Sequence, residues 1–116
     1  MKSLTLQKLR SKNVPRCEQV FHQLDSWSPT DWACAMAGEA GEACNVAKKM
    51  KRLSEGTNSA KDPQSYAEYC RMMAKELADV VIYADLLAAR LGIDLGEAIV
   101  EKFNEVSDRM GSTIKL

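Results

Sequence analysis

Two short stretches of this sequence place acids where they could act together. Gly38-Glu39-Ala40-Gly41-Glu42 and Glu76-Leu77-Ala78-Asp79 each set two carboxylates three residues apart. Successive helical residues turn by about 100°, so positions i and i+3 project from one face. Both stretches lie inside long helical patterns flanked by Ala, Met and Val, so each pair of acids stands on a partly apolar face. Four carboxylates facing one another across two helices repel and lose hydration unless a cation lies between them. A hard divalent ion, Mg2+ or Mn2+, matches oxygen ligands. One ExxE alone is ordinarily a solvated pair, because Glu is a good helix former. Two such pairs on antiparallel neighbours joined by a short loop point to a metal site at Glu39, Glu42, Glu76 and Asp79.

The elements that must hold these acids can be read from periodicity and punctuation. Residues 4 to 12 form a short helical pattern with Leu4, Leu6 and Leu9, and Val14-Pro15 is expected to interrupt it. Pro15 then opens a second segment whose apolar stripe is Cys17, Phe21 and Leu24. Ser28-Pro29-Thr30-Asp31 is a helix start, with Ser28 as cap and Pro29 in the first turn. That helix is expected to run to about Leu53 and carries the first acid pair. Gly38 and Gly41 each cost up to about 1 kcal/mol in a helix interior, which suggests that something approaches the backbone beside the acids. Ser54 to Lys61 reads as a polar loop, a connector or a flap. Asp62-Pro63 is expected to start a third helix ending at Gly92, with Glu76, Asp79 and Tyr83 on one face. Asp94-Leu95-Gly96-Glu97 is a capping box opening a last helix that Gly111 ends. No strand run appears. The expected fold is therefore a single all-α domain over residues 1–116, a bundle of four to five helices. Its active site would lie between the two central antiparallel helices and be completed by oligomerisation.

Composition removes several classes of function. The chain has 116 residues, with sixteen basic and sixteen acidic side chains. Zero net charge offers no footprint for a polyanion, so nucleic acid is not an expected partner. No apolar run approaches the roughly 20 residues of a membrane span. Met1-Lys2-Ser3-Leu4 lacks the apolar core of a signal peptide, and a cytoplasmic location is expected. Cys17, Cys34, Cys44 and Cys70 form no CxxC pair and read as reduced core-filling residues. A single histidine, His22, removes the Glu-x-x-His motifs of di-iron bundles and leaves no base for serine or cysteine hydrolase chemistry.

The segments Trp32-Ala33-Cys34-Ala35-Met36-Ala37-Gly38-Glu39-Ala40-Gly41-Glu42 and Lys75-Glu76-Leu77-Ala78-Asp79-Val80-Val81-Ile82-Tyr83 resemble the MazG-like all-α nucleoside triphosphate pyrophosphohydrolases. The family pattern is ExxE, a spacer, then ExxD, and the GExGE form is similar to the branch acting on dCTP or dUTP. The likeness extends through Lys102 and Arg109, covering about residues 16 to 111. It implies Mg2+-dependent cleavage of a nucleoside triphosphate to monophosphate and pyrophosphate, with Glu39, Glu42, Glu76 and Asp79 as metal ligands. Glu39 would take the proton of the attacking water. The resemblance also implies a base held between aromatic and amide side chains, for which His22, Trp27, Trp32, Asn45 and Tyr83 are the candidates. Lys49, in the basic turn Lys48-Lys49-Met50-Lys51-Arg52, is a candidate for triphosphate oxygens. That turn also has a plain reading, as cations offsetting the negative helix end. Trp32 and Tyr83 equally read as core, and a lone His22 as an ordinary surface residue.

Two positions depart from relatives. Some relatives carry a further Glu directly before the first motif acid, where this chain has Gly38. Some have Asn four residues after the last-helix Lys, where this chain has Val106, with Asn104 or Ser107 as substitutes. The expected substrate is a deoxypyrimidine or non-standard deoxynucleoside triphosphate, and the expected assembly is a homodimer or homotetramer in which Lys102 and Arg109 complete a neighbour's site. The rival readings are a related hydrolase acting on phosphoribosyl-ATP and a non-catalytic metal-binding helical module.

Overall fold

The computed structural model describes residues 3–116; Met1 and Lys2, the first residues of the stretch used for the signal-peptide expectation, lie outside the described residues. The structure is all-helical, with no strand among the described residues. Four α-helices follow one another: α1, Leu6–Val20; α2, Pro29–Glu55; α3, Tyr66–Arg90; and α4, Leu95–Met110. A single 3-10 turn, Leu24–Ser26, lies between α1 and α2. The chain divides into two compact units, one made of the segment up to Pro29 together with Asp85–Leu116, the other of Thr30–Ala84.

In the first unit α1 is continuous, which corrects the expected break at Val14-Pro15. Proline removes one helical N–H and normally kinks or ends a helix. Here Pro15 is exposed, and the helix is held on both sides of it by one face. Arg10, Asn13 and Cys17 fall at i, i+3 and i+7 on that face; Asn13 and Cys17 are buried. Arg10 Nε donates to Asp85 Oδ1 at 2.9 Å and Asn13 Nδ2 donates to Asp85 Oδ2 at 3.0 Å. Arg10 Nη2 also donates to the carbonyl of Ile93 at 2.9 Å. Thr5 caps the helix by accepting from the Lys8 amide at 3.0 Å. Asp94 caps α4 as its position suggests, accepting from the Glu97 amide at 3.0 Å. Asn104 clamps the tail, accepting from the Leu116 amide at 2.8 Å and donating to its carbonyl at 3.2 Å.

The second unit contains most of α2 and α3. Its contacts run in opposite order along the two helices: Trp32 meets Tyr83, Glu39 and Glu42 meet Glu76, and Lys49 meets Asp62. The helices are therefore antiparallel. Trp32, Val46 and Tyr69 are its buried apolar side chains. At the end of α2, Gly56 takes a φ of 71° and the Thr57 amide donates to the Arg52 carbonyl at 2.9 Å. This left-handed close stops the helix two residues beyond the expected Leu53.

The third helix begins at Tyr66, not at Asp62-Pro63. Asp62 cannot cap because its carboxylate faces Lys49, and its backbone amide donates to the Ser59 carbonyl at 3.1 Å. Gln64 Nε2 bonds the carbonyls of Ser59 and Asp62, tying the connector to itself. Ser65 takes over the capping role: its carbonyl accepts from the Tyr69 amide at 3.3 Å and its hydroxyl accepts from the Glu68 amide at 3.4 Å.

Candidate metal centre

The acid pairs meet in the second unit. One carboxylate oxygen from each of Glu39, Glu42 and Glu76 lies within 4.8 Å of the other two. Glu39 and Glu76 are half-buried, whereas Glu42 is exposed. Asp79, also half-buried, stands one turn beyond Glu76 on α3. It is not one of the three clustered ligands, yet its charge acts on both Glu39 and Glu76. None of the four acids has a basic ion-pair partner among the described residues.

The electrostatic consequence is that two carboxyls hold protons more tightly than usual. Burial pushes the Glu39 carboxyl above the ordinary glutamate range, and the charges of Glu42 and Asp79 push it further. Burial is also the largest cause for Glu76, followed by its close approach to Glu42 and the charge of Asp79. Glu76 Oε2 is itself buried and has no hydrogen-bond partner. A buried polar oxygen without a partner costs free energy, and one in a field of like charges costs more. A divalent cation would relieve both, since it takes carboxylate oxygens and offsets their repulsion. The donor set, all oxygen and no sulfur or imidazole, fits Mg2+ or Mn2+.

Other candidate residues distribute between the two units. In the second, Trp32 is 1% exposed, its ring centroid 6.3 Å from that of half-buried Tyr83 at a tilt of 48°. The indole is thus buried in the core. Asn45 is exposed in a shallow groove formed with Gly38, Gly41, Glu42, Cys44 and Lys48. A Cβ added at Gly38 or Gly41 would meet nothing within 4 Å, so none of the described residues makes the close approach that these glycines suggested. Lys49 is half-buried and 3.6 Å from Asp62.

In the first unit, the His22 and Trp27 rings lie 4.4 Å apart. His22 Nδ1 is 2.9 Å from the Gln23 carbonyl and 3.0 Å from the Ser26 hydroxyl, and the Trp27 carbonyl accepts from Arg90 Nε at 2.9 Å. Lys102 pairs with Glu105 at 3.2 Å, and Arg109 is exposed in the last turn of α4. Of the two substitutes considered for Val106, Ser107 is buried and Asn104 commits its amide to the tail.

Sequence reasoning read Asp62 only as part of a helix start and gave Tyr69 no functional role. Tyr69 is 0% exposed and its hydroxyl lacks a hydrogen bond. Its polar tip in a buried stripe was the available signal. Comparison of the sequence with protein-family models and with curated proteins gives no match. No helix of the described residues is long and apolar enough to cross a membrane.

Proposed function

We propose that this chain is a Mg2+-dependent pyrophosphohydrolase that cleaves a nucleoside triphosphate between its α- and β-phosphates. The observation that carries the reading is the trio Glu39, Glu42 and Glu76, mutually within 4.8 Å, with a buried Glu76 oxygen left unpartnered. Glu39, Glu42, Glu76 and Asp79 would hold the metal. Bound there, it would neutralise phosphate charge and make a water more acidic. Glu39, whose carboxyl is raised above the usual range by burial and by the charges of Glu42 and Asp79, takes the proton of the water that attacks the α-phosphorus. The bond from that phosphorus to the bridging oxygen breaks, and pyrophosphate leaves with the electron pair. Lys49 supplies positive charge to the outer phosphates.

Asn45, which shares a shallow groove with Glu42, would meet the nucleoside, and a deoxypyrimidine or non-standard deoxynucleoside is the proposed substrate class. A cytoplasmic homo-oligomer is part of the same reading. Leu77 and Val81 of α3 and Ile99, Phe103 and Met110 of α4 are large apolar side chains at least 42% exposed, as an interface between copies would require.

A panel of common and damaged triphosphates, incubated with the protein and Mg2+ and resolved by chromatography, tests the reaction. Monophosphate and pyrophosphate are expected, with loss of turnover in EDTA and recovery on adding Mg2+ or Mn2+. Diphosphate and orthophosphate as products would contradict the proposed bond, and binding without turnover of any nucleotide would favour a non-catalytic metal module.

A further inference from the structure

The connector between α2 and α3 is joined to α2 by one ion pair, Lys49 Nζ to Asp62 Oδ1 at 3.6 Å, with side chains 33% and 22% exposed. The connector and the first turn of α3 also hold buried polar atoms that the fold leaves unused. The Tyr69 hydroxyl has no hydrogen bond although the residue is 0% exposed, and Asn58 Nδ2, from the connector itself, is likewise buried without a partner. Buried donors are nearly always satisfied in folded proteins, so an idle phenol calls for an acceptor. Asp62 is within electrostatic reach of it: after burial, the Asp62 charge is the next cause holding the phenol proton on Tyr69. The carboxylate thus has two suitors, the ammonium of Lys49 and the hydroxyl of Tyr69, and in this structure it faces the first.

Lys49 is seven residues beyond Glu42, two turns further along the same edge of α2, or about 10 Å at 1.5 Å per residue. A long lysine side chain at that distance can meet the outer phosphates of a chain anchored at the acid cluster. A terminal phosphate carries more negative charge than one carboxylate and takes the lysine from it. We propose that Asp62 is an exchangeable counter-ion, paired with Lys49 when no phosphate is present and passed to the Tyr69 hydroxyl when phosphate occupies the lysine. The exchange leaves the Asp62 carboxylate with a donor in either state, the ammonium or the phenol, and gives the phenol the acceptor it lacks. Because Ser59, Asp62 and Gln64 are bonded to one another, the connector moves with the carboxylate. Asp62 and Tyr69 are thereby positioning residues for polyphosphate, and this inference rests on the triphosphate reading above.

The chain has three tyrosines, Tyr66, Tyr69 and Tyr83, so labelling the phenol carbon that bears oxygen gives three NMR signals, with Y69F assigning the middle one. That carbon's shift reports hydrogen bonding of its hydroxyl. Inorganic tripolyphosphate with Mg2+ is the probe. In the wild type the Tyr69 signal is expected to move on addition, together with that of Tyr83, which is four residues from Asp79. In K49M the Tyr69 signal should already stand at the bound position without the probe. In D62A it should stay at the free position while Tyr83 still responds. Y69F should weaken binding of the probe several-fold by calorimetry without lowering the melting temperature, since a hydroxyl idle in the free state contributes nothing to it. Movement of Tyr83 with a stationary wild-type Tyr69 would overturn the exchange and leave the triphosphate site intact. No movement of any signal, together with no hydrolysis of any triphosphate, would remove the functional reading and this inference with it.

Discussion

Asp85 and Glu76 stand on the same helix, and each places carboxylate oxygen away from water, yet the fold treats them in opposite ways. Asp85 is 1% exposed, and both of its oxygens are answered from α1, one by Arg10 and the other by Asn13. Glu76 has a buried oxygen with no partner, and its nearest charged neighbours are more acids. Burying an acid is costly in either case. Where the chain supplies the complementary donors, the acid is part of the architecture. Where the chain supplies further acids, the repulsion is relieved by a held proton or, in the reading proposed above, by a metal ion. The contrast separates a carboxylate whose partners lie within the fold from one whose partners do not.

The contrast breaks most visibly in turnover. Glu42→Gln and Asp79→Asn are each expected to lower triphosphate hydrolysis by at least about a hundredfold. Neither should lower the melting temperature of the metal-free protein, because removing one of several like charges relieves repulsion. Steady-state kinetics and thermal unfolding in EDTA on the same preparations check both halves. Wild-type turnover in both variants would dissolve the distinction.

Asp85→Ala probes the other side. It leaves Arg10 and Asn13 without their acceptor, and breaking a buried ion pair by removing one partner costs about 3–5 kcal/mol. Urea denaturation should register a loss of that size, and a near-neutral result would mean that Asp85 is not the architectural acid described here.

Acidity sharpens the comparison further. The native carboxyls of Glu39 and Glu76 lie above the ordinary glutamate range, chiefly through burial. The folded state therefore binds protons more readily than the unfolded chain. Their contribution favours folding most below the ordinary glutamate range and is lost as pH rises through the raised native values. In EDTA, the part of the stability profile set by this cluster should fall as pH climbs from acid toward neutrality. Saturating Mg2+ should reverse that trend, because the metal binds the ionised form. Melting curves across pH with and without Mg2+ decide it, and identical profiles would mean that the cluster holds no ion.

The smallest expected effect concerns the helix beside the acids. An alanine methyl at Gly38 meets nothing within 4 Å, so Gly38→Ala should stabilise the free protein by up to about 1 kcal/mol through helix propensity alone. A rise in melting temperature accompanied by weaker substrate binding would show that the open backbone there is a substrate surface.

Much of this was legible in the sequence because it is local. The spacing in Glu39/Glu42 and Glu76/Asp79, the cap at Asp94 and the glycine stops at Gly92 and Gly111 depend on residues within a turn or two of one another. What escaped is set by distant partners. Pro15 reads as a break until Arg10, Asn13 and Cys17 are seen anchoring α1 on both sides of it. Asp62-Pro63 has the form of a helix start, but Lys49 claims the carboxylate that would have capped. Asp85 sits in Ala84-Asp85-Leu86-Leu87, an acid in an apolar run, and its partners lie 75 and 72 residues away. Periodicity can place a side chain on a face; it does not say what will meet it there.

The thiols offer a way to time the molecule. Cys34, Cys44 and Cys70 are exposed and free, while Cys17 is buried, its thiol pushed up by that burial and donating to the His22 carbonyl at 3.4 Å. An alkylating reagent should therefore count three sulfurs within its ordinary reaction time and meet the fourth only when α1 lifts away from its neighbours. With reagent in excess, the slow arrival of that fourth label is a clock, and it reads how often the unit around Asp85 opens in otherwise native protein.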